Sequence, residues 1–264
     1  MGQKMKNAPV YFTIAQVRFN PILSLETYLP SIQESFRKLG YEDFKPTIVA
    51  TFNLAIVASG EGSSPQVPPT QRVSRYTFAN MEGTRGFILE QNALSFQATD
   101  YDTFDTFSGA LLEGLDLLHR AVGIGYSERV GVRYLDAVYP RAGEKLSEYI
   151  VPEVMGLTGK LERALVHAFS ETMTQTDVGA MISRTVIQNG SIGFPPDLAP
   201  LNLTVAERFS RLDGLHATID TDGYYDGREK FDMQSIRSRL HHLHDEIWKS
   251  FSATVTKHAL SVWS

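Results

Sequence analysis

The sequence of 264 residues contains no cysteine, which excludes disulfides, thiolate metal ligands and cysteine nucleophiles. It has no apolar run that approaches the ~20 residues of a membrane-spanning helix. The polar stretch 1–8 lacks the apolar segment of a signal peptide. From these absences we expect a cytoplasmic protein that does not enter a membrane.

Positive charge is not in excess either. The chain has 25 Lys and Arg residues against 30 Asp and Glu, for a net charge of −5, and the two signs are interspersed. Proteins that bind duplex nucleic acid concentrate Lys and Arg at the phosphates, so this composition argues against duplex binding. Phosphate-binding glycine loops and the G-x-S-x-G serine motif do not occur. No catalytic motif therefore identifies an activity.

What the sequence does contain is a unit that occurs twice. Val17-Arg18-Phe19, within an apolar strand pattern, is matched by Val132-Arg133-Tyr134. The repeated pattern predicts one α+β domain over 1–264, built from two related halves, 9–122 and 129–260. Its apolar content of 42% is enough for a substantial core. Each half closes with a helical pattern of apolar residues spaced 4-3-4, which are Leu111, Leu115, Leu118 and Val122 in the first and Ile236, Leu240, Leu243 and Ile247 in the second.

Each half is predicted to run β-α-β-β-β-β-α, with its strands in one curved antiparallel sheet and its helices on one face of that sheet. Gly, Ser and Pro concentrate in 58–71 and 189–202, which are predicted to be exposed connections open to proteolysis. A short junction near 123–128 joins the halves. The predicted strands are 10–19, 47–57, 72–80, 85–91 and 93–98, then 129–139, 163–173, 179–188, 203–208 and 214–221; the predicted helices are 25–38, 103–122, 144–156 and 231–258.

This order of elements is similar to that of the TATA-box-binding protein and its relatives. In that fold a curved antiparallel sheet carries the helices on its convex face, and the first strand of each half lies near the pseudo-two-fold axis. The similarity concerns element order alone, so it implies an architecture and no function.

Several motifs also resemble a sporadically distributed bacterial family of unassigned function. The resemblance spans nearly the whole chain and supports the architecture. The patchy distribution that it implies often accompanies mobile conflict systems, which suggests an accessory role in a bacterial defence or toxin–antitoxin system. The matching residues are Pro9-Val10, Val17-Arg18-Phe19, Pro21-Ile22, Leu94-Ser95, Tyr101, Phe104, the central motif 129–134 (RVGVRY), the closing motif 243–247 (LHDEI), Phe251, Thr256 and Trp263.

Three arginines are the main candidates for binding. Arg18 and Arg133 alternate with apolar residues on matching strands, and Arg129 lies on the same side as Arg133. If the apolar side packs under the helices, the guanidinium groups point to the open face and could share an anion or carboxylate. The alternative is structural, since they could pair with acids on neighbouring strands such as Glu90 or Glu171.

Histidines supply the secondary candidates. His241, His244 and Asp245 are spaced to share a helix face, but a metal site needs a further ligand and the sequence shows none. We therefore expect no metal or organic cofactor, and expect His244 and its repeat counterpart His119 to be boundary histidines bonded to backbone or carboxylate groups.

An acidic segment, 220–227, resembles the start of a calcium-binding loop, but Phe231 stands where that loop needs an acid. The segment is therefore predicted to be a turn before the last helix, with Asp232 as the helix N-cap or as an acid of its first turn.

Three classes of function follow from these candidates. The favoured one is a non-catalytic protein that binds a protein partner, a peptide or a small anionic ligand on the open sheet face; a homodimer also fits this class. The second is a sensor or enzyme with a small-molecule pocket between sheet and helices, where His119 and His244 are polar handles. The third is single-stranded RNA binding, by base stacking on strand aromatics. These aromatics are Tyr11, Phe12, Phe52, Tyr76, Phe78, Phe87 and Phe96.

Overall fold

A computed structural model describes residues 5–52, 70–161, 163–198 and 203–264. Within these ranges the protein is α+β, as predicted, with one antiparallel sheet of nine strands. None of the described helices is long and apolar enough to cross a membrane. The strands are β1 (Val10–Phe19), β2 (Asp43–Phe52), β3 (Thr70–Ala79), β4 (Arg85–Glu90), β5 (Ala93–Ala98), β6 (Tyr126–Val138), β7 (Ala168–Thr176), β8 (Gly179–Gln188) and β9 (His216–Lys230); the helices are α1 (Leu25–Lys38), α2 (Phe104–Val122), α3 (Thr158–Leu161), α4 (Glu207–Ser210), α5 (Met233–Thr254) and α6 (Lys257–Trp263).

The strand order across the sheet is β2-β3-β4-β5-β1-β6-β9-β8-β7. The two strands with the matching arginine motifs, β1 and β6, therefore pair at the centre. In their antiparallel register Arg18 lies opposite Arg129, and Thr13 lies opposite Tyr134. The last strand of each half, β5 or β9, flanks this central pair. The placement agrees with a duplicated order, although the duplication itself stays a prediction.

The helices α1, α2 and α5 pack on one face of the sheet, which we call the helix face. The apolar residues predicted from the helical spacing are buried there, including Leu111, Leu115, Leu240 and Leu243. Val122 is only partly buried. Strand residues alternate, so that Val17, Phe19, Val132 and Tyr134 share this core, whereas their sequence neighbours face the other side.

The close fit of α2 against the sheet gives a prediction of stability. Gly114 faces the ring of Phe87, and a Cβ atom added there would lie 2.5 Å from the ring carbon Cε1. We expect Gly114→Ala to lower the free energy of unfolding by about 1–3 kcal/mol through overpacking. Gly109, in the same helix, has no atom within 4 Å of such a Cβ. Gly109→Ala should instead stabilise by about 0.5–1 kcal/mol through helix propensity, and urea denaturation of both variants checks the contrast.

The second half departs from the predicted order. No strand forms over 203–208, where residues 203–206 are irregular and α4 follows. The predicted short helix over 144–156 is reduced to two 3₁₀ turns, Leu146–Glu148 and Pro152–Val154. The predicted last helix is divided at Val255, which is extended and forms a bridge with Ile150. The length and type of these elements depend on tertiary packing rather than on the local sequence pattern.

The predicted turn over 220–227 is also wrong, because this segment lies within β9. Its acids, at 220, 222 and 226, are separated by even numbers of residues, which places them on one face of a strand. The register opposite β6 places Asp220, Asp222 and Asp226 away from the helices. Of the two roles predicted for Asp232, the structure shows the N-cap, since its carboxylate accepts hydrogen bonds from the backbone N–H groups of Gln234 and Ser235.

The face opposite the helices is partly covered. We call residues 189–198 and 203–212 the cover segment. Tyr11 Oη donates a hydrogen bond to the carbonyl of Gly193 at 2.6 Å, and the Phe194 ring meets the Phe12 ring edge-on at 5.1 Å. Leu198, Leu203 and Val205 also pack against the sheet, which explains why the described part of the connection predicted over 189–202 is docked. The other predicted connection, 58–71, lies outside the described residues apart from 70 and 71, which belong to β3.

Candidate functional site

Arg133 does not lie on an open surface. Its side chain is 8% exposed and its guanidinium binds Asp220 in a bidentate ion pair, with Nε–Oδ1 and Nη2–Oδ2 distances of 2.7 Å. A third contact joins Arg133 Nη1 to Asp197 Oδ2 of the cover segment at 2.7 Å. These hydrogen bonds hold the pKa of Asp197 below its usual value. Arg133 therefore fixes the cover segment to the sheet. Its three guanidinium nitrogens all donate to carboxylates of the protein itself.

The acids expected to form ion pairs with the candidate arginines, Glu90 and Glu171, pair with other residues. Glu90 pairs with Arg75, and Glu171 pairs with Arg184, each on a neighbouring strand. Arg133 takes Asp220, from the acidic segment for which a turn was predicted. The structural alternative of cross-strand pairing thus holds for Arg133, but with another partner.

Arg18 and Arg129 remain on the uncovered part of this face. Arg18 is exposed and forms no ion pair or hydrogen bond with any described residue. Arg129 contacts Asp226, with an Nη1–Oδ2 distance of 3.2 Å, and its guanidinium lies 3.7 Å from the centre of the Tyr224 ring. Like charges at directly opposed strand positions repel each other. The sheet therefore holds two cations side by side where only one has a counter-ion.

Small residues occupy the strand positions next to Arg18 and Arg129. In the strand register Arg18 lies opposite Ala93, and Gln16 lies opposite Gly131. Gln16 Nε2 donates to Ser95 Oγ at 2.9 Å, which fixes its amide against the sheet. We call this surface the Arg18–Arg129 strip, and its members are Gln16, Arg18, Ala93, Ser95, Arg129, Gly131 and Tyr224.

The helix face contains a chain of polar side chains that includes His244. The hydroxyls of Tyr101 and Tyr134 are 3.3 Å apart, and Tyr134 Oη lies 3.1 Å from His244 Nδ1. The imidazole of His244 stacks on Phe104 at a centroid distance of 4.1 Å. Burial lowers the pKa of His244, so the ring is neutral at neutral pH. The expected boundary histidine is found, although its partner is a tyrosine.

The remaining histidine candidates do not assemble a site. His119 stacks on Phe231 with a centroid distance of 4.4 Å, and its buried Nδ1 has no hydrogen-bond partner among the described residues. The His241 ring lies nearly perpendicular to the Phe104 ring, on which His244 stacks. Within the described ranges, no three His, Cys, Asp or Glu side chains come together in a way that could hold a metal ion. Asp245 therefore has no such set to join there.

Asp136 is a buried acid that the sequence interpretation did not select. It lies on the same face of β6 as Tyr134 and Val138, opposite the buried Ile219 of β9, and is 7% exposed. Burial raises its pKa to about 8, and the charge of Asp220 adds to the shift. The sequence did contain a sign of this buried acid, because Asp136 continues the alternation of Val130, Val132 and Tyr134 along β6 and so falls on the apolar face of the strand.

The aromatic side chains proposed for RNA stacking are buried, wherever the structure describes them, so they cannot stack on bases. Tyr11, Phe12, Tyr76, Phe78, Phe87 and Phe96 are all buried in the core. The side chain of Phe52 lies outside the described set. Of the aromatics noted above, Tyr224 remains beside the strip, where Arg129 covers its ring.

Comparisons with known proteins return nothing. No protein-family model, curated protein or solved structure matches the chain.

Proposed function

We propose that this protein is a non-catalytic binding protein whose Arg18–Arg129 strip holds an anionic group of a protein partner, a peptide or a small ligand. The observation that carries the proposal is the opposed pair Arg18 and Arg129, in which Arg18 is exposed and has no counter-ion among the described residues. A bound anion relieves the repulsion between these two cations. The proposal includes a cytoplasmic location, where such a partner would be met.

The chemistry of the strip suits a carboxylate or a phosphate. A guanidinium group presents a planar set of N–H donors that can bind two oxygens of one anion. Gly131 leaves room beside the strands, because it has no side chain and is only half-buried. Asp226 is 57% exposed, so it can turn to water when an anion takes its place at Arg129. Arg133 is left out of the site because its donors are occupied.

The first test replaces the free arginine. Binding of a fluorescent oligoglutamate peptide, followed by anisotropy, should weaken roughly tenfold or more in Arg18→Ala, as expected for loss of a charged hydrogen bond of about 1.5–3 kcal/mol. Inorganic phosphate should compete with the peptide in the wild-type protein. Folding should be unchanged, since the side chain of Arg18 is exposed.

The matched control is Arg120→Ala. Arg120 is 72% exposed on α2, which packs on the other face of the sheet, so this variant loses the same charge elsewhere. If Arg120→Ala weakens the peptide as much as Arg18→Ala, the binding reflects net charge and the proposed site is wrong. Failure of both peptide and phosphate to bind the wild-type protein would also reject an anion site.

A further inference from the structure

At one end of the sheet, strand β7 has a neighbour on one side only. It pairs with β8, and no strand among the described residues lies along its outer edge. The backbone N–H and C=O groups on that edge are therefore unpaired within the described sheet. Residues 171–175 are all exposed, so both faces of the strand are open there. Such an edge accepts another extended strand by backbone pairing.

Apolar surface accompanies this edge. Phe169 and Met173, on one face of β7, are 58% and 61% exposed. Across the strand pair they lie opposite Val186 and Ile182, which are only half-buried. Of the twelve large hydrophobic side chains exposed in the described ranges, five lie within residues 157–173. Apolar surface concentrated in this way is typical of a site of contact with another molecule.

The strand at the other end of the sheet, β2, is built differently. It carries Lys45 and Pro46, and these two residue types protect natural edge strands, because a charge resists burial and proline has no N–H to donate. β7 contains no Lys, Arg or Pro. Its one charged residue, Glu171, is already paired with Arg184 of β8. Of the two end strands, β7 alone therefore lacks the residues that keep a further strand away.

A second copy of β7 is a suitable partner for this edge. Thr172 is the middle residue of the strand Ala168–Thr176. When two copies pair antiparallel about a two-fold axis at Thr172, Glu171 of one copy lies opposite Met173 of the other, so no like charges meet. The two Thr172 side chains face each other, and threonine pairs are favourable across antiparallel strands.

The charges at the two ends of the strand are complementary in the same register. His167 precedes β7 and Asp177 follows it, and both are exposed. Continuing the pairing by one residue brings His167 of one copy opposite Asp177 of the other, where the imidazole can donate a hydrogen bond to the carboxylate. The two-fold axis produces this contact twice. The edge is thus complementary to itself in charge as well as in its backbone groups.

We propose that the protein forms a two-fold symmetric dimer in which β7 pairs antiparallel with β7 of a second copy and joins the two nine-stranded sheets into one. Pairing of β7 with β2 of another copy would leave a free edge at each end and produce filaments, whereas pairing of β7 with itself closes the assembly. The two-fold axis is perpendicular to the sheet, so both copies of the Arg18–Arg129 strip lie on the same face of the dimer.

Sedimentation velocity of the full chain over the micromolar range tests the proposal. We expect a monomer–dimer equilibrium with a dissociation constant in this range, because one strand edge buries less than the about 1,600 Å² of a standard interface. Thr172→Lys should weaken the dimer roughly tenfold or more, since it places two lysines opposite each other at the axis. The matched control is Ile48→Lys, which adds the same charge to an exposed position of β2 and should dimerise as the wild type does.

A charge exchange identifies the partner as a second copy. Thr172→Glu should also weaken the dimer, and mixing it with Thr172→Lys should restore association as a mixed dimer, because a glutamate then faces a lysine at the axis. Circular dichroism should show that these variants are folded, since residue 172 is exposed. A wild-type protein that stays monomeric, an equal loss in Ile48→Lys, or a mixture that stays monomeric would each overturn the proposal.

Discussion

Arg133→Ala is expected to lower the free energy of unfolding by about 3–5 kcal/mol, the usual cost of removing one partner of a buried ion pair. The remaining partner is Asp220, whose side chain is 2% exposed and which keeps only a longer contact with Arg184, at 3.4 Å. The substitution also removes the contact that joins Asp197 of the cover segment to the sheet. Chemical denaturation, followed by circular dichroism, measures the loss.

Arg129→Ala is the control for this effect, because Arg129 also pairs across β6 and β9 with an aspartate. That pair is 29% and 57% exposed, so its loss should cost no more than about 1 kcal/mol. Replacing Arg133 and Asp220 together by Met and Leu should recover most of the stability, since no charge is then left buried. Equal losses in Arg133→Ala and Arg129→Ala would show that Arg133 is solvated, and would return it to the candidate binding residues.

Asp136→Asn is expected to act in the opposite direction and to depend on pH. The pKa of Asp136 rises from 3.8 to about 8 on folding, so the native state binds more protons than the unfolded state between these values. The stability of the wild-type protein should therefore fall as pH rises from about 4 to about 8, and then level off. Asparagine removes this penalty, so the variant should be more stable by about 3–5 kcal/mol at pH 8 and nearly equal to the wild type at pH 4.

Urea denaturation across this pH range, on both proteins, checks the prediction. The control is Asp226→Asn, which removes an exposed carboxylate from the neighbouring strand and should show almost the same pH dependence as the wild type. If the curves for Asp136→Asn and the wild type run parallel, Asp136 has an ordinary pKa.

Local pattern predicted two of the regular elements at their observed bounds. The bounds of α1 were predicted as found, because Leu25, Ile32 and Phe36 recur with helical spacing and are buried. β8 was also predicted at its observed bounds. Where the spacing of apolar residues within a segment matches the face that is buried, the sequence alone is enough to define the element.

The partners of the polar residues could not be predicted in the same way. Arg133 binds Asp220 and Asp197, which are far along the chain and come from a strand and from the cover segment. Nothing local to either acid indicates that it meets an arginine. The docking of Phe194 on Phe12 is equally non-local, which is why the described part of 189–202 was expected to be exposed. The open face was therefore predicted to be larger than it is.

The central pairing of β1 with β6 has a consequence for the order of folding. β6 gains its first neighbour from the beginning of the chain, but its second neighbour, β9, comes only after the cover segment has been made. During synthesis one edge of this apolar strand therefore stays unpaired until β9 emerges, and α5 follows later still. Contacts between such distant segments form slowly, because a long loop must close before they give any stabilisation. Completion of the sheet is thus a late step that requires nearly the whole chain.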